Sequence, residues 1–144
     1  MSAPSRFTIQ PDDYHARFVG TTGDGLKFFI TTPYEAATDT DPGTEFVAMF
    51  LWNADGTFHS ADIDSFGPRE TIHEMDRQDA LERLFARTGE AVIEPITVAP
   101  FSLQSHGTTF GFVPFSSGDV ASVTLQPGDY MSYTAPWDGE SYAT

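Results

Sequence analysis

Glu45-Phe46-Val47-Ala48-Met49-Phe50-Leu51-Trp52 is the stretch on which the fold turns. Read with the two-residue period of a strand, it is apolar on both sides: Phe46, Ala48, Phe50 and Trp52 on one, Val47, Met49 and Leu51 on the other. A strand that is apolar on both faces lies centrally in a sheet, covered above and below. Asn53-Ala54-Asp55-Gly56-Thr57 follows with the chemistry of a type I turn closed by a glycine bulge. Phe58 to Phe66 then returns as the partner strand. Strict alternation puts Phe58, Ser60, Asp62, Asp64 and Phe66 on one side and His59, Ala61, Ile63 and Ser65 on the other.

Upstream of this pair, Arg17–Thr22 and Leu26–Thr32 flank Gly23-Asp24-Gly25, which supplies a tight hairpin turn. Tyr34 to Thr44 shows no apolar periodicity and reads as a loop. Downstream, Gly67-Pro68 stops the sheet and the period changes. Met75, Leu81, Leu84, Phe85 and Thr88, with Ala80 at the edge, fit a helical stripe. Asp76 is the expected N-cap, with a start between Thr71 and Asp76, and Gly89 the expected C-terminal stop. Ala91–Ala99 is extended but interrupted by Pro95, which suits a sheet edge. Thr108–Val113 and Val120–Gln126 are further strands, and Pro127-Gly128 turns the chain into Asp129–Thr134. The expected fold class is therefore α+β: a mostly antiparallel sheet of about 7–8 short strands, curved or split into two layers, with one helix near 76–88 packed on one face. A length of 144 residues fits one domain over 1–144.

Composition narrows the function. The chain has 21 Asp+Glu against 7 Lys+Arg, a formal net charge of −14, and 13 Phe. The aromatic load is enough for a core, unlike that of a disordered acidic tail. With no Cys, thiolate zinc sites, disulfide frameworks and cysteine nucleophiles are excluded. An acidic chain lacks the basic surface that binds nucleic-acid backbones, so no nucleic acid is expected as a partner. The longest apolar run, Phe46 to Trp52, is far short of the roughly 20 residues that span a bilayer, and no membrane association is expected. No apolar stretch follows Arg6 as in a secretory leader, so the cytoplasm is the expected location.

Catalytic motifs fail on inspection. Gly-x-Ser-x-Gly is absent, and Thr21–Lys27 has glycines and a lysine without phosphate-loop spacing. Asp39–Gly43 and Asn53–Gly56 start like calcium loops but lack the glycine and glutamate that complete one. His15, His59, His73 and His106 show no ligand spacing. No catalytic, cofactor-binding or metal-binding residue is assigned, and enzymatic activity is not expected. Asp62 and Asp64 stand out, because two carboxylates two residues apart on a strand point the same way, roughly 6–7 Å apart. Such a pair suits an arginine of a partner, and equally a solvated face that discourages edge pairing.

Solubility alone asks for a net charge of only about 2–8 in magnitude for a small domain. The surplus here points to a protein-binding domain with an acidic face for a basic partner protein, in the manner of an immunity protein or a nucleic-acid mimic. Its expected contact residues are Glu35, Asp39, Asp41, Asp62 and Asp64. Two alternatives come from other classes. One is a small-molecule-binding domain or enzyme whose pocket is lined by Phe28, Trp52, Phe110, Phe112, Tyr130, Tyr133 and Trp137 with His59 or His106. The other is a homodimer docked through the aromatic C-terminus.

Overall fold

A computed structural model describes residues 4–12 and 15–143; of Arg69, Tyr142 and Ala143 it describes the backbone alone. Among these the chain runs β1 (Phe7–Ile9), β2 (Phe18–Thr21), β3 (Lys27–Thr31), β4 (Tyr34–Glu35), β5 (Thr44–Trp52), β6 (Phe58–Gly67), α1 (Glu74–Thr88), β7 (Val92–Ile93), β8 (Ile96–Val98), β9 (Phe101–Ser105), β10 (Thr108–Ser117), β11 (Val120–Gln126), β12 (Ser132–Tyr133) and β13 (Tyr142–Ala143). The fold is α+β with antiparallel pairing throughout. The strands outnumber the seven or eight expected, and the sheets stay open rather than closing into a barrel.

β5 is the central strand of a six-stranded sheet, with β6 along one edge and β3 followed by β4 along the other. β2 and β7 extend the sheet beyond β3. A five-stranded sheet runs β13-β12-β11-β10-β9, and β1 pairs with β8 in a separate ribbon. The alternation of β5 distributes the core as its sequence dictates. Phe46, Ala48, Phe50 and Trp52 meet Phe110, Phe112, Val123 and Leu125 of the five-stranded sheet, and Phe7, Ile9, Ile96 and Val98 join the same core. Val47, Met49 and Leu51, with Phe28 and Ile30 of β3, meet Ala80 and Leu84 of α1. The layers are thus helix, sheet, sheet.

Four local expectations are corrected. Tyr34–Glu35 is not all loop, because β5 is long enough to continue past Pro33 and pair Tyr34 with Glu45 and Glu35 with Thr44. The helix is capped by His73 in extended conformation, without a side-chain hydrogen bond, and not by Asp76, which lies inside the first turn. Met75 is 77% exposed, since it sits about 180° round the helix from Leu84. Phe58 does not share a face with Asp62: a bulge between the Leu51–Ser60 and Trp52–Phe58 pairs shifts the register and turns Phe58 to the inter-sheet core. There it stacks on Phe101 at 3.9 Å.

Several turns follow the sequence closely. Gly56 takes φ 90° and donates its N–H to the Asn53 carbonyl at 2.9 Å, as a type I turn with a glycine bulge requires. The C-terminal aromatics are spent inside the fold, Tyr133 buried and Trp137 packed on the inter-sheet core. Among the described residues no helix is long and apolar enough to cross a membrane.

Candidate functional site

The carboxylates singled out by sequence fall into two separate places. Asp62 and Asp64 lie opposite Met49 and Val47 in the β5–β6 register, so both point to the helix side of the sheet. α1 presents Arg83 and Arg87 there, one helical turn apart. Arg83 donates to Asp62 Oδ2 at 2.9 Å and to Asp64 Oδ2, and Arg87 donates to the same Asp62 oxygen. The Arg83 hydrogen bond, with help from the charge of both guanidinium groups, holds the Asp62 carboxyl below its ordinary range despite partial burial. The same bonds push Arg83 further into its protonated range. The pair is therefore neutralised from within the molecule, clamping α1 to β6.

Glu35, Asp39 and Asp41 lie on the segment that leaves the sheet at β4 and returns at β5, and all three are exposed. Asp41 shapes this segment: its carboxylate accepts the Gly43 N–H at 2.7 Å, and its carbonyl accepts the Thr38 N–H at 2.7 Å. Gly43 has φ 85°, and a side chain there would strike the Glu35 carbonyl at 2.7 Å, so this close turn requires glycine. The folded segment frames a cleft of about 250 Å³ bordered by Glu35, Glu45 and Glu70, the last of which follows β6; in the β4–β5 register Glu35 and Glu45 sit on opposite faces of the sheet. Glu45 and Glu70 were not anticipated from sequence. Glu45 opens an otherwise apolar strand and Glu70 is remote from the loop in sequence; the β4–β5 and β5–β6 pairings bring both to the same cleft as Glu35.

Tyr34 and Glu45 also border a second cleft of about 180 Å³, together with His15, Arg77 and Tyr130. Tyr130 stacks on Tyr34 at 5.9 Å and meets the His15 ring at 4.7 Å. Its hydroxyl shares a 2.7 Å hydrogen bond with Thr31 Oγ1, and burial raises its pKa so that the phenol stays protonated. Desolvation lowers the His15 pKa, against an upward pull from the Asp12 charge. A third cleft of about 240 Å³ adjoins this one, sharing His15, Thr32 and Arg77 and adding Arg17, Phe18 and Leu81. The three clefts run together across the end of the sheet, acidic at one extreme and basic at the other.

Of the rings expected to line a pocket, only Tyr130 borders one of these clefts; Phe28, Trp52, Phe110, Phe112 and Tyr133 are buried core. His59 is exposed and bonded to Ser60 Oγ at 2.7 Å, and His106 sits in a hairpin turn with φ 52°. Among the described residues no three His, Asp or Glu side chains converge to hold a metal ion. Comparison with protein families, with curated proteins and with solved structures finds no match for this chain.

Proposed function

We propose that this chain is a small acidic cytoplasmic domain that binds a basic partner protein, as an immunity-type inhibitor or a nucleic-acid mimic does. One observation supports the reading most: Glu35, Glu45 and Glu70, from three separate segments, line a single cleft, and Asp39 and Asp41 stand exposed on the loop that frames it. A lysine or arginine of the partner is drawn to the negative charge gathered around that cleft and its loop. The wider field of a chain with net charge −14 steers such a partner, an effect worth about 10–10³-fold in association rate at low salt. Asp62 and Asp64 drop to a supporting role, because their charge is already balanced by Arg83 and Arg87.

The test is affinity capture from the native host at low and high salt. The bait is the wild-type chain, a Glu35→Lys/Asp39→Lys/Asp41→Lys variant, or Asp62→Asn. A basic protein retained by wild type and by Asp62→Asn, and lost both in high salt and with the triple variant, supports the proposal. Retention that ignores salt and the charge reversals, or recovery of no basic protein, rejects it.

A further inference from the structure

The arginines of this acidic chain do not all do the same work. Arg83 and Arg87 are neutralised by Asp62 and Asp64. Arg6 donates to the Ser5 and Asp55 carbonyls. Arg17 and Arg77 form no ion pair with any described residue, and both border the cleft of about 240 Å³ beside His15. Arg77, in the first turn of α1, heads the helical stripe that carries Ala80, Leu84 and Thr88 into the core. That position would normally hold an apolar residue. Its Nε is buried and has no hydrogen-bond partner among the described residues. A buried donor left unsatisfied is unusual in a folded protein and marks a place where a ligand or water supplies the acceptor.

We propose that this cleft, between the first turns of α1 and the β2–β3 end of the six-stranded sheet, binds a small organic oxyanion, a carboxylate or phosphomonoester carrying an apolar or aromatic body. The walls divide in the way such a ligand requires. Arg17, Arg77 and His15 form the polar end, and among the described residues no carboxylate lines this cleft. Phe18, Ile30 and Leu81 form the apolar end. The guanidinium of Arg17 lies over the Phe18 ring at 5.2 Å, which holds a long side chain in place. An oxygen of the ligand pairs with the guanidinium group of Arg77, which borders the cleft and has no ion-pair partner among the described residues. The nearby carboxylates set the orientation: Glu45 borders the adjoining cleft on the Tyr34 side, and Asp12 acts on His15. The anionic group therefore lies towards Arg17, away from Glu45. This site is separate from the acid-lined cleft of the proposed function and stands or falls independently of it.

The test is titration of the ¹⁵N-labelled full chain at low ionic strength, following the Arg Nε–Hε and His ring resonances. The probes are phenyl phosphate, benzoate, inorganic phosphate and, as cationic control, benzylamine. Saturable shifts at Arg77 and His15 with phenyl phosphate or benzoate are expected, with dissociation constants of about 0.1–10 mM. Whichever of the two binds tighter names the oxyanion. Arg77→Gln is expected to weaken binding by about tenfold or more, and Arg17→Gln by less, while Glu70→Gln leaves it unchanged. Lowering the pH below the ordinary histidine value of 6.5, where the desolvated His15 takes up its proton beside Arg17, Arg77, Asp12 and Tyr130, strengthens binding. Linear shifts spread over the surface, an equal response to benzylamine, or unchanged affinity in both arginine variants overturns the proposal. Inorganic phosphate binding as tightly as phenyl phosphate overturns the part assigned to the apolar wall.

Discussion

The two faces of the six-stranded sheet are built from alternate residues of the same strand, yet they are finished in different ways. On the inner face Phe46, Phe50 and Trp52 meet a second sheet ring against ring: Phe46 on Phe110 at 4.9 Å, Phe50 on Phe101 at 5.1 Å, Trp52 on Phe101 at 5.6 Å. On the outer face Val47, Met49 and Leu51 meet one helix, whose buried residues are Ala80, Leu84 and Thr88. A single helix is narrower than six strands. What it leaves uncovered is closed on one side by the ion pairs of Asp62 and Asp64, and opens on the other into the cleft at Arg77. Stability is concentrated where two sheets meet. Charge and open space are concentrated where coverage is incomplete.

Neighbouring residues of β5 make the sharpest comparison. Phe50→Ala opens a cavity in the inter-sheet core and is expected to cost about 3–5 kcal/mol. Met49→Ala, one residue away and equally buried, is expected to cost about 2 kcal/mol, because the helix can settle against a smaller side chain. Denaturant midpoints of the two variants check this. A Met49→Ala cost equal to or above that of Phe50→Ala would mean that the helix layer is packed as rigidly as the second sheet, and the contrast would break.

The ion pairs form a weaker tie. Arg83→Gln removes both of its carboxylate contacts and is expected to cost about 1 kcal/mol, the upper end of the range for exposed pairs, since Arg83 bridges two acids at once. Combined with Asp62→Asn, the two losses should not add, because each removes the same contact. Hydrogen exchange localises the effect: α1 amides are expected to exchange faster while β10 and β11 keep their protection. Uniform loss of protection would show that the helix and the sheets unfold as one unit.

Much of this architecture is legible in the sequence, and what escaped has specific causes. β5 announces itself, because FVAMFLW admits no solvent-facing side. The helix and its stop at Gly89 are equally plain. β9 escaped because only Phe101 and Leu103 mark its period, and β4 because its pairing depends on the length of β5 and not on its own residues. The bulge that turns Phe58 inwards inserts a residue without a glycine to signal it, so strict alternation put Phe58 on the face of Asp62. Glu35, Asp39 and Asp41 were legible as a group, since one segment carries them. That Asp62 and Asp64 would be met by Arg83 and Arg87 required knowing that α1 crosses β6. Arg77 carried a further unread signal, a charged residue at the head of an apolar helical stripe, one turn before Leu81.

The smallest expected effect concerns acid, and its sign follows from the direction of the shift. Hydrogen bonding from Arg83 holds the Asp62 carboxyl below its ordinary value of 3.8 in the folded chain, while the unfolded chain titrates near that value. The unfolded state then takes up the proton first. The stabilisation from this group is complete above 3.8 and drains away as the pH falls through the lower, folded value. Asp62 is partly solvated, so the whole contribution is expected to stay below about 1 kcal/mol. His15, also lowered, loses stabilisation in the same direction but starts from its ordinary value of 6.5, in a window well above that of Asp62. The two separate cleanly in a comparison of wild type with Asp62→Asn. The difference in denaturant midpoint should be constant across the histidine window and then close towards zero as the pH falls below 3.8 and through the lower, folded value of Asp62. A difference that instead changes across the histidine window would couple the ion-pair clamp to the cleft at the far end of the helix, and the two margins of the outer face would have to be treated as one.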